Sequence, residues 1–171
     1  KCNKAFLGQY SGKLSAVSTN EVQLNALIPD GFLPRNFSQN ISELSSSFVS
    51  IYNQALNAEA TGLDEICGMG YRKALEFLIK DFAIHEHPEK QDDIEQIALG
   101  KCIESYIDNS RIKTLAKASA WLGNDETHYI KRHPDYSIEH LKLFIDSVVS
   151  FIDSELTVYK AQELLKHKDP K

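Results

Sequence analysis

The chain has 171 residues, of which 42% are hydrophobic and 25% are charged, a composition typical of globular proteins. Its formal net charge of −5 argues against a protein that coats nucleic acid through a broadly basic face. No uninterrupted apolar run approaches the roughly 20 residues that a bilayer-spanning helix needs, so we expect no membrane association. The three cysteines show no pairing pattern, which favours reduced thiols in a cytoplasmic protein.

Residues 1–35 and residues 36–171 differ in pattern, and we predict a domain boundary between them. The first region has no helical period, and its apolar residues are separated by glycines and short polar clusters. Alternation at Val22, Gln23 and Leu24 favours short extended segments with turns. Pro29 to Gly31 and Pro34 then indicate a loop. The sequence therefore predicts a short, partly extended N-terminal segment ahead of a helical domain.

The second region predicts an all-α bundle of five helices. Apolar residues from Ile41 to Ala58 recur at spacings of three and four, with Asn40 and Glu43 as a capping box and Gly62 as the end. Gly123 is predicted to end the fourth helix, and Ser137 to cap the fifth. The second to fifth predicted helices span about residues 68–84, 92–107, 112–122 and 138–165. Short connections between amphipathic helices are typical of a bundle.

Arg72 and Glu76 are the first candidate functional pair, because a spacing of four places them on one face of a helix. Glu59 would join them if the first two helices pack antiparallel. Such a network could orient a substrate, and it could equally be an ordinary intrahelical salt bridge. The sequence leaves both interpretations open.

The most polar motif spans residues 123–128, with the sequence GNDETH. Asn124 and His128 would share a face if the segment continues as helix, and histidine is suited to proton transfer near neutral pH. The alternative is a helix end whose polar side chains only cap backbone groups. His133 and His140 are isolated in the sequence, and no four-ligand zinc set or cofactor motif can be assembled by spacing.

Three segments together resemble a bacterial family known as domain of unknown function 4145. They are residues 51–56 (IYNQAL) with Ala58 and Glu59, residues 70–76 (GYRKALE) and residues 121–129 (WLGNDETHY), which stand in the family's order over roughly residues 40–160. That family resembles the HEPN class of helical bundles, many of which belong to antiphage or toxin–antitoxin systems. The resemblance implies an HEPN-like fold, a homodimer, and in active members a metal-independent ribonuclease.

The resemblance implies roles for particular residues. Asn124 and His128 match the family's Asn and His and are the candidate catalytic residues. Gly123 and Trp121 stand where the accompanying Arg is expected, and neither can hold a phosphate. The candidate substrate-binding residues are Arg72, Glu76, Lys117 and Asp125, with Arg72 or Lys117 as the substitute for that Arg.

Residues 1–6 (KCNKAF) resemble the tail of a small zinc ribbon that some family members carry ahead of the helices. If so, Cys2 would be the last ligand of a site whose other ligands precede Lys1. The alternative is an unrelated cysteine, and we expect no intact zinc site or other cofactor in this chain.

Three functions remain open at this stage. The leading hypothesis is a non-catalytic or weakly active module that binds RNA, a nucleotide or a protein partner in a bacterial defence or regulatory system. The second is a metal-independent ribonuclease that uses His128. The third is a purely structural dimerisation domain.

Overall fold

The computed structural model describes residues 7–12, 22–28 and 33–166. The predicted zinc-ribbon tail at Cys2, the predicted loop at residues 29–31 and the residues after Lys166 lie outside the described residues. The N-terminal described part is a pair of antiparallel strands, β1 (Leu7–Gly12) and β2 (Val22–Ile28), whose register shifts between Gln9 and Tyr10. The segment for which alternation predicted an extended conformation lies in β2.

Residues 33–166 form a helical bundle, as predicted, with seven α-helices where the sequence predicted five. Amphipathic stripes explain the bundle, because each helix has an apolar face that must be covered by a neighbour. Within the described part of the chain, no helix is both long enough and apolar enough to span a bilayer. The helices are α1 (Gln39–Leu44), α2 (Ser46–Ala60), α3 (Asp64–Glu86), α4 (Gln91–Gln96), α5 (Leu99–Tyr106), α6 (Ser110–Asp125) and α7 (Ile138–Lys166), with a 3₁₀ turn at Pro88–Lys90.

The first predicted helix is interrupted at Ser45, which separates α1 from α2. The Ser45 backbone leaves the helical region (φ −145°, ψ 80°), and its hydroxyl oxygen accepts a hydrogen bond from the Phe48 N–H. The same hydroxyl donates to the Asp81 carboxylate of α3. A serine with these partners starts a new helix more favourably than it continues the old one. The predicted cap was also wrong, since Ser38 rather than Asn40 caps α1.

The third predicted helix is divided into α4 and α5 by extended backbone at Ile97 and Ala98. Ile94 and Leu99 are both buried. In one continuous helix, a spacing of five would direct these side chains about 140° apart. The break at Ile97 allows both side chains to reach the core.

The fourth predicted helix extends through Gly123, which is buried in α6 rather than at its end. A Cβ atom at Gly123 would lie 2.7 Å from the Cβ and Cδ atoms of Arg72 on α3. The glycine is therefore required by the close approach of two helices, and it does not terminate α6. The predicted stop at this position was wrong.

Helix α3 lies at the centre of the bundle and packs against α2, α5, α6 and α7. Its contact with α2 is close, because a Cβ atom at Gly70 would lie 2.8 Å from the Cβ of Ala55. The N-terminal half of α3 also meets the C-terminal end of α6, where Gly68 contacts the Glu126 side chain. The largest fully buried side chains are Tyr52, Tyr71, Phe48, Phe82, Ile41, Leu75, Leu78, Ile79, Ile94, Leu99, Ile103 and Ile107.

Candidate functional site

A pocket lies where α6 ends and the chain turns into the loop of residues 126–137. Its volume is about 280 Å³. The lining residues all come from the end of α6 and this loop, and they are Trp121, Asn124, Asp125, His128, Arg132 and His133. Both candidate catalytic residues therefore lie on the walls of one pocket, together with one predicted binding residue, Asp125.

Arg72 reaches the same end of the bundle from α3. Its aliphatic stem lies against Gly123, and its Nε donates a hydrogen bond to Asn124 Oδ1 at 3.3 Å. Its Nη1 donates to Glu76 Oε2 at 3.1 Å, so the predicted Arg72–Glu76 pair is present. A larger residue at position 123 would obstruct this path. Thus the glycine that stands where an arginine was expected is the residue that admits an arginine from another helix.

Asp125 is the most buried polar residue of the pocket, with 4% of its surface exposed. Its Oδ2 accepts two hydrogen bonds from His133, one from the backbone N–H and one from ring Nδ1, each at 2.7 Å. Burial opposes ionisation of this carboxyl, but the hydrogen bonds from His133 and from the Arg132 backbone outweigh it. The pKa of Asp125 is therefore lowered from its ordinary value.

The imidazole of His133 is held in one orientation. Its Nδ1 must carry a proton to donate to the Asp125 carboxylate, which leaves Nε2 as the ring nitrogen available to a ligand. The indole of Trp121 lies nearly parallel to the ring, with 12° between the planes and 6.1 Å between the centroids. Sequence spacing suggested that His133 was isolated, and that prediction was wrong because the loop returns it to Asp125.

His128 is exposed, and within residues 33–166 its one hydrogen bond is from its backbone N–H to the Asp125 carbonyl at 3.4 Å. Arg132 is exposed as well, and within residues 33–166 no carboxylate pairs with its guanidinium. Neighbouring Lys131 does have a partner, Glu126 Oε1 at 2.8 Å. Among the described residues, the pocket therefore combines an imidazole fixed by Asp125, an imidazole without a side-chain hydrogen bond and a guanidinium without a carboxylate partner.

Two predicted members lie elsewhere. The ammonium group of Lys117 pairs with Glu104 on α5, and Lys117 does not line the pocket. Glu59 does not join Arg72; it accepts hydrogen bonds from Tyr71 and from Lys142, the latter at 2.8 Å. Burial opposes ionisation of Glu59, yet these two donors lower its pKa. The Glu59 network is separate from the pocket and connects α2, α3 and α7 through hydrogen bonds.

His133 and Arg132 were not among the predicted site residues, whereas Arg72 was. Asp125 and His133 are eight residues apart across a nonhelical loop, and no periodic pattern pairs residues at that spacing. The one usable signal was Pro134 directly after Arg132 and His133, because proline marks a loop in which distant side chains can turn back toward the preceding helix.

The described residues contain no group of three or more His, Cys, Asp or Glu side chains arranged to hold a metal ion. No family model, curated protein or solved structure matches the chain. The resemblance to the family of unknown function and to the HEPN class therefore stays a prediction.

Proposed function

We propose that the pocket at the end of α6 binds single-stranded RNA, with a phosphate group at Arg72 and Arg132 and a base against Trp121. The observation that carries the proposal is that Arg72 crosses Gly123 to reach Asn124, beside a pocket that already contains two imidazoles and Arg132. The proposal keeps the predicted family context, a bacterial defence or regulatory system.

The cationic side chains support the phosphate part of the proposal. A guanidinium has five N–H donors, and Arg72 uses one on Asn124 and one on Glu76, which leaves others for a phosphate oxygen. Arg132 has no carboxylate partner in the described part of the chain, so an anion would meet its full charge. A fixed His133 Nε2 and a free His128 offer further donors when protonated.

An exposed aromatic side chain supports the base-binding part. Trp121 is 62% exposed although it is large and apolar, and its indole lies nearly parallel to the His133 ring with 6.1 Å between the centroids. Stacking of a nucleobase on such a side chain contributes about 1–3 kcal/mol per base with little sequence preference. The net charge of −5 requires that this be a local site, with modest affinity that falls as salt rises.

Fluorescence anisotropy of a labelled single-stranded RNA, measured over a salt series in EDTA, tests the proposal. Arg132→Ala should weaken binding and reduce the slope of log K against log salt by about 1. Arg111→Ala is the matched control, because Arg111 lies at the opposite end of α6 over the Phe151 ring. Absence of binding by the wild type at low salt, or equal effects of the two substitutions, would contradict the proposal. A nucleoside monophosphate as competitor shows whether a single nucleotide suffices.

The dimerisation function remains the second candidate because Tyr129 and Ile130 are largely exposed in the loop beside the pocket. Apolar side chains at these positions would be covered in a homodimer or by another protein. Light scattering after gel filtration distinguishes the candidates. Under the dimerisation proposal, Tyr129→Ser with Ile130→Ser converts a dimer to a monomer. Under the RNA proposal it does not, and Trp121→Ala lowers RNA affinity and leaves the molar mass unchanged.

A further inference from the structure

A second pocket lies at the opposite end of α6 from the RNA site, and the proposed function does not use it. Its volume is about 660 Å³, which is within the range of small-molecule sites in proteins. The walls come from the ends of α1 and α3, from Asp108 in the loop before α6, and from the last three turns of α7. The α7 wall extends from Leu156 to Lys166, about 15 Å along the helix axis, so the pocket suits an elongated ligand.

Part of the lining is apolar and aromatic. Leu156 is buried, and Leu44 and Tyr159 are half-buried where they border the pocket. The centroids of the Tyr159 and His85 rings are 5.8 Å apart. Methylene groups of a ligand would bury apolar surface against the two leucines, and a cationic group would be attracted to the face of the Tyr159 ring.

Carboxylates outnumber ammonium groups in the lining. Four carboxylates and two ammonium groups border the pocket, and they belong to Glu43, Glu86, Asp108, Glu163, Lys160 and Lys166. The ammonium group of Lys160 is already engaged, because it donates a hydrogen bond to Asn40 Oδ1 at 2.5 Å and lies 3.7 Å from a Glu43 oxygen. Within residues 33–166, no ion pair includes Glu86, Asp108 or Glu163. The charges of the pocket therefore favour a cationic ligand.

Glu86 combines partial burial with an unfavourable electrostatic environment. It is the last residue of α3, and its Oε1 accepts a hydrogen bond from the Tyr159 hydroxyl at 2.7 Å. Burial raises the pKa of Glu86, and the negative charges of Asp108 and Glu155 raise it further. The hydrogen bond from Tyr159 and the neighbouring His87 act in the opposite direction. A cation bound here would stabilise the ionised carboxylate.

The end of α3 also favours a cation independently of these side chains. The last carbonyl groups of a helix have no intrahelical partner, and the helix dipole gives that end a partial negative charge. Helix α3 has 23 residues, and its final residue, Glu86, borders the pocket. A bare metal ion does not fit, because the described residues contain no group of three or more ligating side chains. An organic ammonium group needs no such geometry.

We propose that this pocket binds an aliphatic polyamine, a flexible chain of methylene groups with an ammonium group at each end. One ammonium group lies between Glu86 and Asp108 at the end of α3. The methylene chain follows α7 over Leu156 and Tyr159, and the other ammonium group reaches Glu163. This inference goes beyond the proposed RNA binding and does not depend on it.

Isothermal titration calorimetry with spermidine tests the inference, on the full chain at low ionic strength and without RNA. Binding should saturate at one site per chain, and the ligand should raise Tm. 1,4-Diaminobutane and Mg²⁺ have the same charge and different shapes. The diamine should bind at least 10-fold more tightly than Mg²⁺, because only the diamine has methylene groups to bury.

Substitutions locate the binding site. Glu86→Gln should weaken spermidine binding about 10-fold or more, since it removes a charged hydrogen-bond acceptor. Tyr159→Leu should weaken it about 2–5-fold through loss of the aromatic face. Glu139→Gln is the matched control, because it removes the same charge from an exposed residue on the first turn of α7. If Glu86→Gln is not folded at the assay temperature, Asp108→Asn decides the question, because Asp108 is exposed in a loop.

Acetyl-trilysine amide distinguishes a free polyamine from the lysine side chains of a protein, since it also has three ammonium groups. It should bind more weakly than spermidine, because its backbone amides need hydrogen-bond partners that the apolar part of the lining does not offer. Tighter binding of the peptide would overturn the assignment to a free polyamine.

Two other results would overturn the site itself. One is the absence of spermidine binding by the wild type. The other is a nonspecific response, in which Glu86→Gln and Glu139→Gln have equal effects or Mg²⁺ binds as tightly as the diamine. The RNA proposal is unaffected by either result, because its pocket lies at the other end of α6.

Discussion

Replacing Gly123 with alanine tests the contact that lets Arg72 reach Asn124 at the edge of the pocket. The new Cβ would lie 2.7 Å from both Cβ and Cδ of Arg72, and neither atom is at the mobile end of the side chain. The backbones of α3 and α6 must therefore separate, and overpacking of this kind costs about 1–3 kcal/mol. Alanine favours a helix by about 1 kcal/mol over glycine, so the net loss of unfolding free energy should be about 0–2 kcal/mol.

Gly100→Ala is the matched control for this substitution. Gly100 is also helical, in the first turn of α5, and an added Cβ would meet nothing within 4 Å. Alanine should raise its stability by about 0.4–1 kcal/mol, because it removes conformational freedom from the unfolded chain. The two variants should then differ by about 0.4–3 kcal/mol in unfolding free energy, which corresponds to roughly 1–12 °C in Tm for a chain of this size.

Thermal and urea unfolding followed by circular dichroism measure this difference, and RNA affinity measured on the same samples adds a functional readout. Gly123→Ala should also weaken RNA binding, since it displaces the Arg72 stem from its path to Asn124. If both glycine variants gain the same stability, Arg72 does not lie against Gly123, and the reasoning for the pocket is refuted.

Three further predictions concern stability and reactivity. The pKa of Asp125 is lowered below its ordinary 3.8, so its carboxylate contributes stability above about pH 4, and this stability disappears as the pH falls through the pKa of the folded state. Asp125→Asn should therefore destabilise the protein at pH 7 and have less effect near pH 2. Urea unfolding at a series of pH values measures this. Lys142→Met should cost about 1–2 kcal/mol, since it leaves the half-buried Glu59 without its cation, whereas loss of the exposed Lys160 pair should change the urea midpoint little. Burial raises the pKa of Cys102 to about 11, so peptide mapping should show it unalkylated at pH 8 until the protein unfolds.

The all-α class was predictable because apolar stripes at spacings of three and four determine which faces must be buried, whatever the neighbours are. The positions at which helices break were not predictable in the same way. Ser45 and Ile97 interrupt stripes that look continuous, and both breaks depend on contacts with other helices, such as the hydroxyl of Ser45 on Asp81. Local periodicity contains no information about such partners.

The candidate site was also predictable only in part, because local sequence patterns contain no information about distant partners. Asn124 and His128 were selected from a short polar motif, and both line the pocket. Arg72 was one of two candidates for the expected cation; it reaches Asn124, whereas Lys117 pairs with Glu104 on α5. His133 looked isolated because its partner, Asp125, is reached only when the loop folds back.

The sequence by itself therefore determined the helical class, the polar motif at residues 123–128 and the absence of an arginine within it. Only the tertiary structure decided what that absence means, since Gly123 was interpreted as a helix end and is in fact the gap through which Arg72 passes. The physical reason is the distance along the chain over which each kind of interaction acts. Backbone preference and amphipathic period act within a few residues, whereas the contact between Arg72 and Asn124 joins two helices across 52 residues of chain.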